Sequence, residues 1–443
     1  MAIFLKTVSL TQFVAENSRK EIFSKMTGNY ISHFISSAVM VLIFLMAVSW
    51  LSYSESDYSF RQDDFRVEIA FILTSLISLG WMMSMIIGIC IDLFPLTHNL
   101  DSFNQTHSTH YLFINIVGQL LIIAGIFSNN LDLLLEMSTI GMVLLCWGVL
   151  TIAWPSWKLH RNSKLENINC GNIALIPSFL IPISAIVILS CWIFRKNTGL
   201  LEFGLGFNVI VMMGTICLTL ILSHFNRRLS WEVVKFGNFR PVVGIYLGLA
   251  LFHSFASMWH ARGDVSDTIF NYSLAAPLLW GFFSTRPLKT IKNAIGALQK
   301  PHSRLIATAQ CFFLVTGVMA LIPDFDSAKF TNITYVTFIF SCAVLSTWGS
   351  GIFLHQDHLH KSIHNRPGLW FIIVVNAIGI LSLFLIGFRI DLIGDQSDLL
   401  YFFMRSLALA SMIIYIFILI IRDLFFSMDT WHRIPMSYEK YIS

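Results

Sequence analysis

Four histidines occur within ten residues in the stretch HQDHLHKSIH at 355–364. His355 and His358 are three apart and His360 and His364 are four apart, so each pair would share one face of a helix, a workable spacing for a divalent metal. Another stretch, PLTHNLDSFNQTHSTH, contains His98, His107 and His110. If these segments converge, they predict a surface metal site. The alternative is a set of interfacial histidines where helices leave a membrane.

A second histidine pair lies inside an apolar segment, in the sequence FHSFASMWH. His253 and His260 are seven residues apart, which is nearly two helical turns and therefore the same face. Two inward imidazoles can ligate haem or copper, or relay protons. In the alternative interpretation, His260 belongs to the membrane interface beside Trp259, and His253 only bonds a neighbouring helix.

Other polar residues interrupt the apolar segments at isolated positions. Asp92, Asn271 and Asn376 would line the path of a transported solute, because polar groups inside a bilayer are costly and usually functional. Asn208 and Arg405 are further polar residues of this kind. The alternative for each is a helix–helix hydrogen bond or an interfacial charge.

The composition shows which elements must position these residues. The 443-residue chain is 56% hydrophobic and 12% charged, whereas a soluble domain is about a quarter charged. Apolar runs of about 20 residues predict transmembrane helices. They lie near 32–53, 68–95, 109–128, 132–154, 172–194, 203–224, 241–260, 268–285, 305–323, 332–354, 369–388 and 400–421. We therefore expect an all-α, polytopic bundle of about twelve spans.

The basic residues predict the orientation of the bundle, because cytoplasmic loops collect Lys and Arg. With both termini cytoplasmic, all but eight of the 29 basic residues fall on the cytoplasmic side. The eight are Arg61, Arg66, Arg195, Lys196, Arg262, Lys329, Arg389 and Arg405. We expect a cytoplasmic segment at 1–31, a transmembrane domain at 32–421 with a possible 6+6 division near 225–240, and a cytoplasmic tail at 422–443. In a prokaryote the chain would lie in the inner membrane.

Motifs for ATP-driven or hydrolytic chemistry are absent: the sequence has no P-loop, no H-E-x-x-H and no G-x-S-x-G. Its seven cysteines are scattered without a C-x-x-C pair, which favours packing roles. The remaining classes are a gradient-driven carrier, a redox protein that uses a cofactor, and a non-catalytic membrane subunit. The expected partners are the lipid bilayer and other membrane subunits or an electron carrier, not nucleic acid.

The second predicted span contains LGWMMSMIIGICIDLFP at 79–95. This pattern resembles the second span of the haem-copper oxidase subunit I superfamily and the related NnrS membrane proteins. The resemblance implies a twelve-span redox protein that binds haem or copper. The family's haem-ligand histidine would fall at Leu73 to Ser75, where this chain has none. His358 and His360 reproduce the family's H-x-H of the tenth span, although the charge pattern places them at the cytoplasmic surface.

These observations lead to one expectation and two alternatives. We expect a diverged redox protein of this type, with haem or copper between helices near His253 and His260. The first alternative is a secondary transporter of a small solute or metal cation, and the second is a subunit without chemistry of its own.

Overall fold

The structure is a computed structural model that describes several residues between 32 and 46, and residues 66–98, 105–162 except 129, 176–228, 239–287 except 286, 301–321, and 334–351 except 336 and 348. Within these residues every regular element is a helix, and they contain no strand. The predictions for His355, His358, His360 and Asn376, and for the last two spans, lie outside the described residues.

The described helices include ordinary α-helices and wider π-helical segments. In chain order they are α1 (Arg66–Ser75), π1 (Leu76–Met82), α2 (Met83–His98), α3 (Gln105–Phe127), α4 (Leu131–Asn162), π2 (Ile176–Leu180), α5 (Ile181–Ile193), α6 (Thr198–Gly206), π3 (Phe207–Met213), α7 (Gly214–Arg228), α8 (Phe239–Ala261), α9 (Asp267–Ser284), α10 (Pro301–Met319) and π4 (Ile339–Ala343).

Five continuous helices are long and apolar enough to cross a membrane. They are Val67–Ile91, Thr106–Phe127, Leu131–Lys158, Thr198–Leu222 and Pro241–Ala261, and they correspond to the second, third, fourth, sixth and seventh predicted spans. Ser178–Ile193 and Leu305–Met319 are shorter apolar helices within the fifth and ninth. A helical membrane protein is thus supported, while the total of twelve spans and the side of the termini stay predictions.

The spans differ in how deeply they are buried. In the apolar 18-residue window of Thr198–Leu222 100% of the residues are buried, and in that of Val67–Ile91 78% are, whereas the windows of the other three long spans are 33–44% buried. The outer helix α4 exposes an apolar stripe at helical spacing, formed by Ile140, Val143, Trp147, Leu150 and Trp154. Such a stripe is suited to lipid rather than to water. The two buried spans therefore form the centre of the bundle.

Small residues bring α3 and α4 close together. A Cβ atom on Gly118 would lie 2.9 Å from the carbonyl oxygen of Gly141, and a Cβ on Gly141 would lie 2.7 Å from that of Gly118. Close backbone approach of this kind is typical of membrane helices, which associate through packing because lipid supplies no hydrophobic driving force.

Three of the π segments recur at regular positions. They begin at Leu76, Phe207 and Ile339, which are 131 and 132 residues apart and lie in the second, sixth and tenth predicted spans. π1 packs against π3, and π3 packs against π4. An interval of four spans is what a repeat of four-span units would give, whereas the predicted 6+6 division remains untested.

The π segments also provide backbone carbonyl groups to neighbouring helices. A π turn departs from the regular i→i−4 bonding, so some of its carbonyl oxygens accept side-chain donors. Asn115 Nδ2 donates to the Leu79 carbonyl at 3.1 Å, and Tyr246 Oη donates to the Ile210 carbonyl at 3.0 Å. These bonds connect the central spans to their neighbours.

Two ends of the bundle can be distinguished. A Cβ on Gly204 of α6 would contact Phe71 of α1, and α1 packs against α6 as π1 does against π3, so the two central spans run in the same direction. The turns at 194–197 and 262–266 lie at the end where these spans begin, which we call the Asp267 end. The opposite end, where α3 begins, is called the Ser108 end. The predicted topology makes the Asp267 end the outer one.

Prolines lie in the fifth and eighth predicted spans. In the fifth, π2 (Ile176–Leu180) lies directly before Pro182, near the start of α5. In the eighth, Pro277 lies inside α9. A proline cannot donate the i→i−4 bond, so it disturbs the helix in the preceding turn.

Candidate functional site

His253 of α8 is completely buried and bonded through both ring nitrogens. Its Nδ1 lies 2.9 Å from Ser273 Oγ of α9, and its Nε2 lies 2.7 Å from Tyr335 Oη in the tenth predicted span. The ring thus joins three helices. Both partners are neutral hydroxyl groups, so the imidazole is in an uncharged environment.

The hydrogen-bond pattern assigns the tautomer of this ring. Ser273 Oγ lies 2.6 Å from the Phe270 carbonyl, to which it donates its one proton. Ser273 must then accept from His253, so the proton is on Nδ1 and Nε2 accepts from the Tyr335 hydroxyl. The protonated Nδ1 and the bare Nε2 therefore point to opposite sides of α8.

Two small residues shape the far side of Tyr335. The Ser257 hydroxyl interacts with Tyr335 and also lies 3.0 Å from the His253 carbonyl. Its single proton can therefore be donated either to the Tyr335 hydroxyl oxygen or to the His253 carbonyl oxygen. A Cβ on Gly206 of α6 would lie 3.2 Å from Ser257 Oγ and 3.3 Å from Tyr335 Oη. Glycine at 206 leaves the room in which these two hydroxyl groups meet.

His260 lies on the same face of α8 as His253 but closer to the surface. Its Nε2 is 2.7 Å from Asp267 Oδ1, and the two side chains are 24% and 70% exposed. The Phe270 ring stacks on His260 with a centroid distance of 4.5 Å and lies 5.4 Å from the His253 ring. Phe270 thus packs against both imidazoles, and only His260 has access to the aqueous side.

Glu202 is the charged residue closest to this cluster on α6. It is half-buried and interacts electrostatically with His260 and with Tyr335. Its carboxyl group therefore interacts both with a member of the surface pair and with the tyrosine that contacts the buried histidine. Sequence reasoning did not select it, although a single acidic residue in the first turns of an apolar span is the signal that could have found it.

Asn208 of π3 is the second unusual polar residue near the centre. The side chain is 1% exposed, and among the described residues neither its amide nitrogen nor its amide oxygen has a hydrogen-bond partner. It comes one turn after Gly204, which faces Phe71 of α1. Such unsatisfied groups are rare, because each costs roughly 1–3 kcal/mol when buried.

The structure brings together some of the predicted site residues and separates others. His253 and His260 both contact Phe270, whereas Asn271 is half-buried on α9 outside this hydrogen-bonded cluster. Asp92 lies in α2, but its side-chain environment is not part of the described structure. Tyr335 and Ser273 were missed, because only the packing of the helices reveals their position.

The histidines His98, His107 and His110, which were predicted as part of a metal site, lie in helices. α2 continues to His98 and α3 already begins at Gln105. His107 is half-buried and His110 is exposed on the first turns of α3. The helices extend beyond the predicted spans 68–95 and 109–128, because hydropathy ends at the last apolar residue, whereas backbone hydrogen bonds extend a helix into polar sequence.

No group of three His, Cys, Asp or Glu residues that could hold a metal occurs among the described residues. A haem or copper ion would need a ligating nitrogen from each histidine. His253 has both nitrogens bonded to hydroxyl groups, and His260 Nε2 is bonded to Asp267. In this arrangement both nitrogens of His253 and Nε2 of His260 are occupied by hydrogen bonds, and a haem or copper centre between the two histidines stays a prediction.

The structure also describes the residues at which the resembled family would have its haem-ligand histidine. Residues Leu73 to Ser75 belong to α1, and the LGW sequence at 79–81 lies in π1. Comparison with protein-family models and with curated proteins finds no match to this chain.

Proposed function

We propose that this chain is an integral membrane carrier that moves protons across the bilayer, with His253 as the buried proton-binding group. The observation that supports it is the completely buried imidazole held between Ser273 and Tyr335. Histidine is the side chain whose ordinary titration range is closest to neutral pH, and ionisable residues inside membranes commonly serve proton relays.

The surroundings of His253 provide an entrance for protons from the Asp267 end. Asp267 is exposed and hydrogen-bonded to His260, and His260 interacts with Glu202. Glu202 in turn interacts with Tyr335, whose hydroxyl group contacts His253. In this series His260 and His253 would carry the proton as an imidazolium and Glu202 as a neutral carboxyl group, and the Tyr335 hydroxyl would accept one proton as it donates another.

Proton movement also makes use of the tautomer assigned above. If His253 Nε2 receives a proton from the Tyr335 side, the ring becomes an imidazolium. It returns to the neutral form by releasing a proton from Nε2 or, after the ring leaves Ser273, from Nδ1. In a carrier for a small solute, which is the first alternative of the sequence analysis, protons would be the driving ion.

A flux measurement in liposomes tests this proposal without knowledge of the solute. The purified protein is reconstituted with an internal pH-sensitive dye, and a potassium gradient with valinomycin drives proton entry. We expect wild-type vesicles to acidify faster than protein-free vesicles, and His253→Gln to slow this by at least about tenfold. His110→Gln, which changes an exposed histidine of α3, is the matched control and should behave as wild type. Wild-type acidification at the protein-free rate would refute the proposal.

An optical spectrum of the same preparation distinguishes the redox hypothesis from the carrier. A haem between His253 and His260 would require at least one of them to leave its observed partner. A Soret band, or copper or iron in stoichiometric amount, would favour the redox function over the carrier. If the preparation shows proton flux but has neither a Soret band nor stoichiometric copper or iron, the result favours the carrier.

A further inference from the structure

A second buried histidine, His33, lies at the opposite end of the bundle. The side chain is 0% exposed, with Nε2 2.8 Å from Ser108 Oγ of α3 and Nδ1 3.4 Å from Ser84 Oγ of α2. The ring stacks on Tyr111 with a centroid distance of 5.7 Å. Like His253, it joins three spans and is bonded to a hydroxyl group at each nitrogen.

The network around His33 continues along one face of α3. Ser108, Tyr111, Asn115 and Gln119 are three or four residues apart, so they share one side of the helix. All four are buried. Asn115 Nδ2 lies 3.2 Å from Tyr111 Oη, and Gln119 Nε2 donates to Asn115 Oδ1 at 2.6 Å.

This row of polar groups reaches the middle of the membrane span. Asn115 also donates to the Leu79 carbonyl of π1, and a Cβ on Gly80 would lie 2.9 Å from the Gln119 amide. Gly80 thus makes space for Gln119 against the central span. A polar row from His33 at the Ser108 end to π1 in mid-span is therefore continuous in the structure.

The His33 network and the His253 network occupy different depths. His253 comes eight residues before the end of the span Pro241–Ala261, which places it about 12 Å from the Asp267 end at 1.5 Å per residue. Ser84 comes 17 residues after the start of Val67–Ile91, about 25 Å from the same end. Among the described residues no hydrogen bond joins the two networks.

The chemical surroundings of His33 are as neutral as those of His253. The described contacts of its ring are two serine hydroxyls, from α2 and α3, and the Tyr111 ring. Purely structural bonds between membrane helices are commonly made by Ser, Asn and Gln without an ionisable group. A histidine in such a position adds one property that these residues lack, which is a basic ring nitrogen that can bind a proton.

We propose that His33 is a second proton-binding group, which serves the Ser108 end as His253 serves the Asp267 end. This inference rests on the proposed proton carrier. Each histidine binds and releases protons at its own depth, and the two act in series on one proton current. The amides of Asn115 and Gln119 orient the inner part of this path and carry no charge themselves.

The same vesicle assay tests the proposal with His33→Gln. Glutamine keeps a hydrogen-bonding side chain but cannot carry the proton. We expect proton flux per folded protein to fall by at least about tenfold, and the double variant His33→Gln/His253→Gln to be no slower than the slower single variant, because two groups in series act on one current. Ser108→Ala, which keeps His33 but removes one partner, should reduce flux only a few-fold.

Structural and functional roles of His33 lead to different results. The folded fraction of each variant is measured by size-exclusion chromatography and by thermal unfolding in detergent, and flux is normalised to it. If His33→Gln lowers stability but keeps wild-type flux per folded protein, His33 is only a structural residue and the inference is wrong. Additive losses in the double variant would also overturn it, because they indicate two independent paths. Wild-type vesicles without flux would instead refute the proposed carrier function.

Discussion

The two buried histidines have similar hydrogen-bond partners but different connections to the surface. His253 is linked through Tyr335 and the half-buried Glu202 to the exposed His260–Asp267 pair. His33 is linked to the uncharged amides of α3, which lead inward to π1. The comparison teaches that partner type alone does not define the role of a buried histidine. The groups that continue the two networks differ in charge, and under the proposed function a proton would enter on the charged side.

The two regions also differ in how completely their polar groups are paired. The amide of Asn115 bonds to Leu79, Tyr111 and Gln119. The amide of Asn208, at a similar depth in the central span Thr198–Leu222, has no described partner. The amide groups of the α3 row are therefore bonded to one another and to π1, whereas π3 carries an amide without a described partner.

The largest expected stability difference concerns the histidines themselves. His253→Leu leaves Tyr335 and Ser273 without the ring between them, and we expect the free energy of unfolding to fall by about 2 kcal/mol. His33→Leu should cost only about 1 kcal/mol, because one of its two bonds is long, at 3.4 Å. Unfolding in mixed detergent and SDS, followed by circular dichroism, measures both. A larger loss for His33→Leu would reverse the comparison.

The two asparagines provide the next contrast. Asn115→Leu removes three hydrogen bonds and should lower the free energy of unfolding by about 1.5 kcal/mol. Asn208→Leu removes none and relieves the burial of an unbonded amide, so we expect unchanged or higher stability, by up to about 1 kcal/mol. The same unfolding assay compares them. A clear loss of stability for Asn208→Leu would show that its amide is bonded in the membrane-embedded protein.

Glycine 206 tests how tightly the Tyr335 side of the His253 network is packed. Gly206→Ala places a methyl group 3.2–3.3 Å from Ser257 Oγ and Tyr335 Oη, and the tyrosine ring is held by His253. We expect a loss of about 1 kcal/mol in stability together with reduced proton flux. Gly244→Ala is the matched control on α8, since nothing lies within 4 Å of the added methyl group. It should be neutral or slightly stabilising, because alanine favours the helix; equal effects of the two substitutions would show that the space at Gly206 is unimportant.

Much of the helical framework was accessible from the sequence. Long apolar runs place the five membrane-length helices to within a few residues, because a bilayer fixes both length and composition. His253 was recognised as a buried imidazole for the same reason. The π segments could not be predicted, because a single extra residue in a turn leaves no signature in hydropathy.

The partners of the histidines depended on packing and were therefore missed. Tyr335 lies 82 residues from His253 in the sequence, and Ser108 lies 75 residues from His33. No local pattern joins positions so far apart. The polar spacing of Ser108, Tyr111, Asn115 and Gln119 was nevertheless a readable signal, because four polar groups at helical intervals on one apolar span predict an inward face.

The smallest expected effect concerns the surface connection of the His253 network. Asp267 is 70% exposed, so its bond to His260 is screened by water, and Asp267→Asn should change the free energy of unfolding by less than about 0.5 kcal/mol. Its effect on proton flux should be larger in proportion, about two- to three-fold, because an exposed carboxylate raises the local proton supply at the entrance. High salt should reduce this difference, since it screens exposed charges but not the buried histidine. If Asp267→Asn leaves flux unchanged at low salt, protons reach Glu202 by another route and His260–Asp267 is only a helix-terminus contact.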